Sequence, residues 1–136
     1  MAKELLVRDY LSAQMIKSGE KLIKKLDEKH AEVKSALWFF MPEERVWTLL
    51  IASPLVTQEG PKKFYKKIIE ANRNSRISDR VISINNISVT SPVEPLIQVI
   101  NTMINTDSES INGIRFSRNT FNGVFIEDCH IYRSSR

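Results

Sequence analysis

The residues best placed to do chemistry lie on either side of Asn122-Gly123, late in the 136-residue chain. That dipeptide is the strongest short signal for a two-residue hairpin turn, because both positions tolerate positive φ. A turn there sets Phe121 opposite Val124 and fixes the register outward. Arg115, Ser117 and Asn119 then share one face with Asp128, His130 and Tyr132. Such a face could hold an anion through Arg115, or run acid–base chemistry with Asp128 orienting the His130 imidazole. The same residue types also make an ordinary solvent-facing strand surface. On the other face Arg118 stands opposite Glu127, flanked by Phe116, Phe125, Cys129 and Ile131. An ion pair on so apolar a strip reads as a partly buried structural pair across the strands.

A second set of candidates is electrostatic. Between 60 and 80 stand Lys62, Lys63, Lys66, Lys67, Arg73, Arg76 and Arg80, against only Glu70 and Asp79. The segment thus carries more than the chain's whole net charge of +4. Lys62, Lys63, Lys66 and Lys67, followed by Arg73 and Arg76, could track an anion or a phosphate backbone. Phe64 and Tyr65 fit a buried stripe better than a base-stacking platform, and a lysine-rich outer face is commonly just a solvated one. Nucleic-acid contact therefore has charge behind it but no stacking residues.

Most other chemistries are excluded. The glycines, Gly19, Gly60, Gly113 and Gly123, are too scattered to cradle a phosphate. One cysteine and two histidines cannot build a structural zinc site. Cys129 and His130 are adjacent on a strand and should point to opposite faces, against a thiol–imidazole pair. No serine lies in a Gly-x-Ser-x-Gly elbow. Glu127 and Asp128 point apart in a regular strand, so a carboxylate metal centre would need a bulge or remote partners such as Glu43 or Glu44. No cofactor and no metal is expected.

The elements that position these residues read as α+β, in the order α-β-β-α-β-α-β-β. Val7, Leu11, Met15, Leu22 and Leu26 recur at helical spacing and predict a first helix over about 6–29, with Gly19 on its inner stripe. Two apolar strands, 36–41 and 46–52, flank the turn Pro42-Glu43-Glu44-Arg45. Both faces of that hairpin are apolar, which calls for cover on both sides, by helices of the same chain or by a second subunit in a homodimer. Gly60-Pro61 opens a second helix that frays around 72–74. A third strand covers about 80–90, with a bulge at Asn85-Asn86. Ser91-Pro92-Val93-Glu94 has the capping-box pattern and opens a third helix. A polar loop over 105–110 leads to the last hairpin. The expected architecture is a single, mostly antiparallel sheet of about five strands with three helices, forming one domain over 1–136.

Composition agrees with this picture: 42% of residues are hydrophobic and 26% charged. Cys129 is the only cysteine, so no internal disulfide can form. The longest apolar run, Ala36 to Met41, is far short of the ~20 residues that span a bilayer. Met1 to Val7 is too short for a signal-peptide core. No membrane association and a cytoplasmic location are expected.

Two blocks, ALWFFMPEERVWTLLIASPLV at Ala36–Val56 followed by GPKKFYKKI, and GIRFSRNTFNGVFIEDCHIYR at Gly113–Arg133, together resemble a group of small bacterial proteins with no established activity. The resemblance implies a bacterial, cytosolic setting and transfers no catalytic residue. The expectation is a non-enzymatic binding or accessory module for a protein or an anionic ligand. The alternative is a small enzyme acting on nucleic acid or a nucleotide through the polar residues of the last hairpin.

Overall fold

The apolar hairpin forms and becomes the middle of the molecule. The computed structural model describes residues 3–76 and 79–136. Strands β2 (Ser35–Met41) and β3 (Val46–Ala52) pair antiparallel in the expected register, Phe40 against Trp47 and Trp38 against Leu49. β7 (Val124–Ser134) pairs with the free edge of β2, and β6 (Ile114–Phe121) with β7, both antiparallel. β5 (Ile87–Thr90) runs parallel to β3. The sheet order is β5-β3-β2-β7-β6. The fold is therefore α+β as expected, with a five-stranded sheet that is mixed rather than wholly antiparallel.

Helices of the same chain cover both faces of the hairpin. On one side α1 (Ala13–Glu28) and α3 (Pro61–Arg73) pack Leu22, Leu26, Phe64 and Ile68 over Trp38, Trp47, Leu49 and Ile51. On the other, α4 (Pro95–Met103) sets Ile97 and Ile100 against Leu37, Phe39, Leu50 and Ile131. Each such side chain, fully buried, contributes roughly 1.5–3 kcal/mol. The apolar faces thus need no second subunit to account for them.

Several expected elements need correction. A second sheet exists: β1 (Lys3–Glu4) runs parallel to β4 (Arg80–Val81). Among the described residues there are four α-helices, because Ser53-Pro54 opens a short helix, α2 (Pro54–Glu59), as well as ending β3. The Ser53 side chain caps it by accepting from the Leu55 N–H, and proline suits the first helical position. The strand expected over 80–90 is split by a 3₁₀ turn, Ile84–Asn86, where a bulge was anticipated; Ser83 caps that turn.

The helix starts also shift. α1 begins at Ala13, capped by Ser12, whose hydroxyl accepts from the Met15 N–H. Leu5, Val7 and Leu11 reach the core from an irregular segment upstream, bent at Asp9 and Tyr10. α4 begins at Pro95, not after Ser91, because a residue before proline is pushed out of the helical region. Glu94 (ψ 137°) is the cap, its carboxylate accepting from the Leu96 and Ile97 N–H groups. No helix among the described residues is long and apolar enough to cross a membrane.

Two polar fixtures tie the helices to the sheet. The Trp38 indole N–H donates to the Tyr132 hydroxyl at 2.9 Å and to the Met15 carbonyl at 3.2 Å, while the Tyr132 hydroxyl donates to the Ile16 carbonyl at 2.6 Å. Gly19 lies directly above. A methyl there would collide with the Tyr132 hydroxyl and stand 2.9 Å from its Cζ and 3.0 Å from Trp38 Nε1. Elsewhere Arg133, 1% exposed, forks onto the Asp27 carboxylate at 3.0 and 2.8 Å. It also donates to the Ser110 and Val33 carbonyls.

Glycine at 19 therefore marks close approach. Alanine would add up to ~1 kcal/mol of helix propensity, but overpacking at such a contact costs typically about 1–3 kcal/mol. Gly19→Ala should lower stability in urea unfolding, and Tyr132→Phe should not restore it, because the ring carbon at 2.9 Å and the Trp38 nitrogen at 3.0 Å still crowd the methyl. A Gly19→Ala protein as stable as the parent would disprove the contact.

Candidate functional site

The last hairpin turns at Asn122-Gly123, with φ 47° and 78°. Its register follows the prediction: Phe121 opposes Val124, Asn119 Ile126, Ser117 Asp128, Phe116 Cys129 and Arg115 His130. The break comes at Arg118, whose φ is 50°, and the Arg118–Glu127 pair drops out of the ladder. Left-handed backbone at one residue disturbs the alternation of faces. Ile126 consequently joins Cys129 and Ile131 in the buried cluster beneath α4. Glu127 turns to the same side as Asp128. The ion pair expected between Arg118 and Glu127 is not made, since none within 4 Å joins them.

β2 pairs with β7 only from Cys129 onward. The outer part of the last hairpin therefore stands beyond the sheet and, with the turn of the first hairpin, walls a concavity of about 440 Å³. Phe40 and Trp47 line it from the first hairpin, with Arg45 at the turn. Asp9, Tyr10 and Leu11 form the rim from the segment before α1, held there by a hydrogen bond from Trp47 Nε1 to the Asp9 carbonyl at 3.2 Å. Arg115, Ser117, Arg118, Glu127 and Asp128 complete the lining.

Within it Arg115 is fixed. Its Nε and Nη2 donate to the two oxygens of Asp128, each at 2.6 Å, and the Ser117 hydroxyl donates to the first of them at 2.9 Å. The guanidinium lies 5.6 Å from the centre of the Trp47 ring. Burial alone would push Asp128 up, but the hydrogen bonds from Arg115 and Ser117 outweigh it and leave its carboxyl below the usual range. The same contact raises the Arg115 pKa, so the pair stays ionised through neutral pH. Arg45, like Arg118, sits at positive φ (55°). Arginine is uncommon in this conformation, which Gly, Asn and Asp fill more easily.

The other expected site residues go elsewhere. Asn119 is exposed and outside the concavity. Tyr132 is buried with its hydroxyl committed to Trp38 and Ile16, and burial pushes its pKa up. His130 is 8% exposed, its ring edge-on to Tyr132, and its Nε2 is buried without a partner. Asp128 does not orient it, its oxygens being taken by Arg115 and Ser117. Burial, and then the charge of Arg115, lower the His130 pKa and hold the ring neutral. Burial pushes the Cys129 thiol up to about 11, so it carries no nucleophilic thiolate. Of the five residues expected to bind ligand, the structure gathers Arg115 and Asp128. In the basic segment Lys62, Lys63, Lys66, Arg73 and Arg76 are exposed, while Lys67 pairs with Glu59 at 3.8 Å. None of these lines the concavity.

Sequence reasoning missed Arg45, Phe40, Trp47, Asp9 and Tyr10. One signal was available: Arg45 ends a four-residue turn where glycine or asparagine is usual. No protein-family model matches the chain, and neither the curated proteins nor the solved structures give a match.

The buried imidazole makes stability depend on pH. The unfolded chain binds a proton on His130 below about its ordinary 6.5, whereas the native ring resists it. This contribution is intact above pH 6.5 and is lost as the pH falls from there toward the lowered native pKa. Urea unfolding of His130→Phe should show a flatter pH dependence between about pH 7 and 5 than the parent. Parallel slopes for the two proteins would refute the assignment.

Proposed function

We propose that the chain is a non-enzymatic binding module, and that it recognises a protein or an anionic ligand at the concavity between its two hairpins. One observation carries the reading: three arginines, Arg45, Arg115 and Arg118, reach this hollow from two different hairpins. Arg115 is already held by two hydrogen bonds to Asp128, with Trp47 nearby. A guanidinium held in place before its ligand arrives loses little freedom on binding, which favours recognition.

The same residues support binding over catalysis. General acid–base work needs an ionisable group within reach of the substrate and with a suitable pKa. His130 and Tyr132 lie in the interior, Cys129 is a protonated thiol, and Asp128 is saturated by hydrogen bonds. The alternative, an enzyme acting on nucleic acid or a nucleotide, would rest on Glu127 alone among the residues of the last hairpin. Lys62, Lys63 and Lys66, which make no ion pair among the described residues, support a secondary contact with an extended anion along α3.

Titrating benzoate into isotopically labelled protein at low ionic strength, followed by amide NMR, locates the face. We expect shifts at Arg45, Arg115, Arg118 and their neighbours, abolished in Arg45→Glu/Arg118→Glu. Shifts confined to Lys62–Lys67 would move the binding face to α3. No shift anywhere at about 10 mM, a concentration that reveals affinities of only a few kcal/mol, would end the anion reading.

A further inference from the structure

We infer that the concavity takes a small zwitterion with a flat ring, of which an aromatic α-amino acid is the simplest example. The inference rests on the proposal that this hollow is the binding site, and goes further by assigning a chemistry to each part of it.

Charge comes first. Arg115 and Asp128 satisfy one another. What remains is Arg45 and Arg118 against Asp9 and Glu127, and none of these four makes an ion pair among the described residues. Two cations and two anions line one small hollow with no ion pair within 4 Å between them. A compact dianion such as a phosphate monoester would meet as much repulsion as attraction there. A ligand with separated charges meets attraction at both ends, since complementary placement selects partners even where the net charge of a site is zero.

Backbone conformation comes next. Arg45 and Arg118 are both held at left-handed φ, 55° and 50°. Glycine would relieve each position, so the long cationic side chains stand there against local preference. Strain of this kind gathers at ligand sites, and here two instances face one hollow from separate hairpins.

The third part is a platform. The Arg115 guanidinium is pinned by Asp128 and lies over Trp47, while about half of its side chain (48%) is open to solvent. A planar cation held in place by its carboxylate and half open to solvent offers a surface for a ring to stack upon. The volume, about 440 Å³, lies in the range of small-molecule sites, roughly 300–1,000 Å³, and is ample for one amino acid. The ring then rests on Arg115, the carboxylate meets Arg45 and Arg118, and the ammonium meets Glu127 and Asp9.

Isothermal titration calorimetry on the full chain at pH 7 and low salt separates these assignments. The probes are L-tryptophan, indole-3-propionate (no ammonium), tryptamine (no carboxylate) and a nucleoside monophosphate. L-tryptophan should bind, and loss of either charge should weaken binding by about tenfold or more, the factor expected for one shielded charge contact. Arg45→Gly and Arg118→Gly should each weaken tryptophan binding to a similar extent without lowering Tm, because glycine suits those φ values. Glu127→Gln should do the same to the ammonium contact, leaving indole-3-propionate unaffected. Equal affinity for tryptophan and indole-3-propionate, or tighter binding of the nucleotide, would overturn the zwitterion. So would tryptophan affinity unchanged in the Arg45, Arg118 and Glu127 variants. If indole-3-propionate binds as well as tryptophan, and both glycine variants abolish this, an anion site at the concavity stands and only the zwitterion falls. If no probe binds, the zwitterion falls, and the benzoate titration decides separately whether an anion site remains.

Discussion

Tyr132 takes the Trp38 indole N–H on its hydroxyl and gives its own proton to the Ile16 carbonyl, so one oxygen joins β7, β2 and the first turn of α1. The β2–β7 ladder slips beside it. Ala36 pairs with Arg133 and Leu37 with Ile131, leaving Tyr132 as the extra residue of a bulge. Buried hydroxyls and indoles are costly unless paired, and here each donor has an acceptor. Gly19 lets α1 come close enough for the pairing. The rest of the site follows from that position. Once α1 is set down on the sheet, the segment before Ser12 is delivered across Trp47, and Asp9 to Leu11 become the rim of the hollow.

Arginine plays two opposite parts. Arg133, almost without exposure, spends its donors on Asp27, Val33 and Ser110. A buried cation is tolerated only when paired and hydrogen-bonded in this way, and it has little left to offer a ligand. Arg115 makes the same fork with a carboxylate but stands at the surface. Its bonds orient it without using it up. Arg45 and Arg118 form the third case, placed by backbone alone and free of ion pairs among the described residues. What separates framework from candidate contact is the fraction of donors already spent, which residue type does not reveal.

Local patterns carried much of this structure in legible form. Asn122-Gly123 dictated the last register, and the two apolar faces of β2 and β3 foretold cover on both sides. Failures arose where local signals compete or end. Val7 and Leu11 keep helical spacing with Met15, yet they reach the core from non-helical backbone, since burial constrains side chains and not φ and ψ. Pro95 overrode a good capping box opened by Ser91, four residues upstream. The last hairpin shows the deeper difficulty. Alternation correctly set His130 and Tyr132 on the side of Asp128, but that side is roofed by α1 along the sheet and open only beyond it. Period-two patterning assigns a face; it cannot say where along the strand the neighbouring layer stops. Nor does arginine at 118 signal left-handed backbone, so the turn that brings Glu127 beside Asp128 was invisible.

β7 is an interior strand of the sheet, between β2 and β6, yet it follows the other six strands in the chain. Trp38 and Tyr132 are 94 residues apart. At synthesis rates of about 5–20 residues per second, the β2–β3 hairpin waits on the order of 5–20 s for the strand that completes it. Throughout that interval one edge of β2 is unpaired and two apolar faces are only partly roofed, a template for adhesion to other chains. Folding of the sheet is thus bound to the last stretch of the chain to be made.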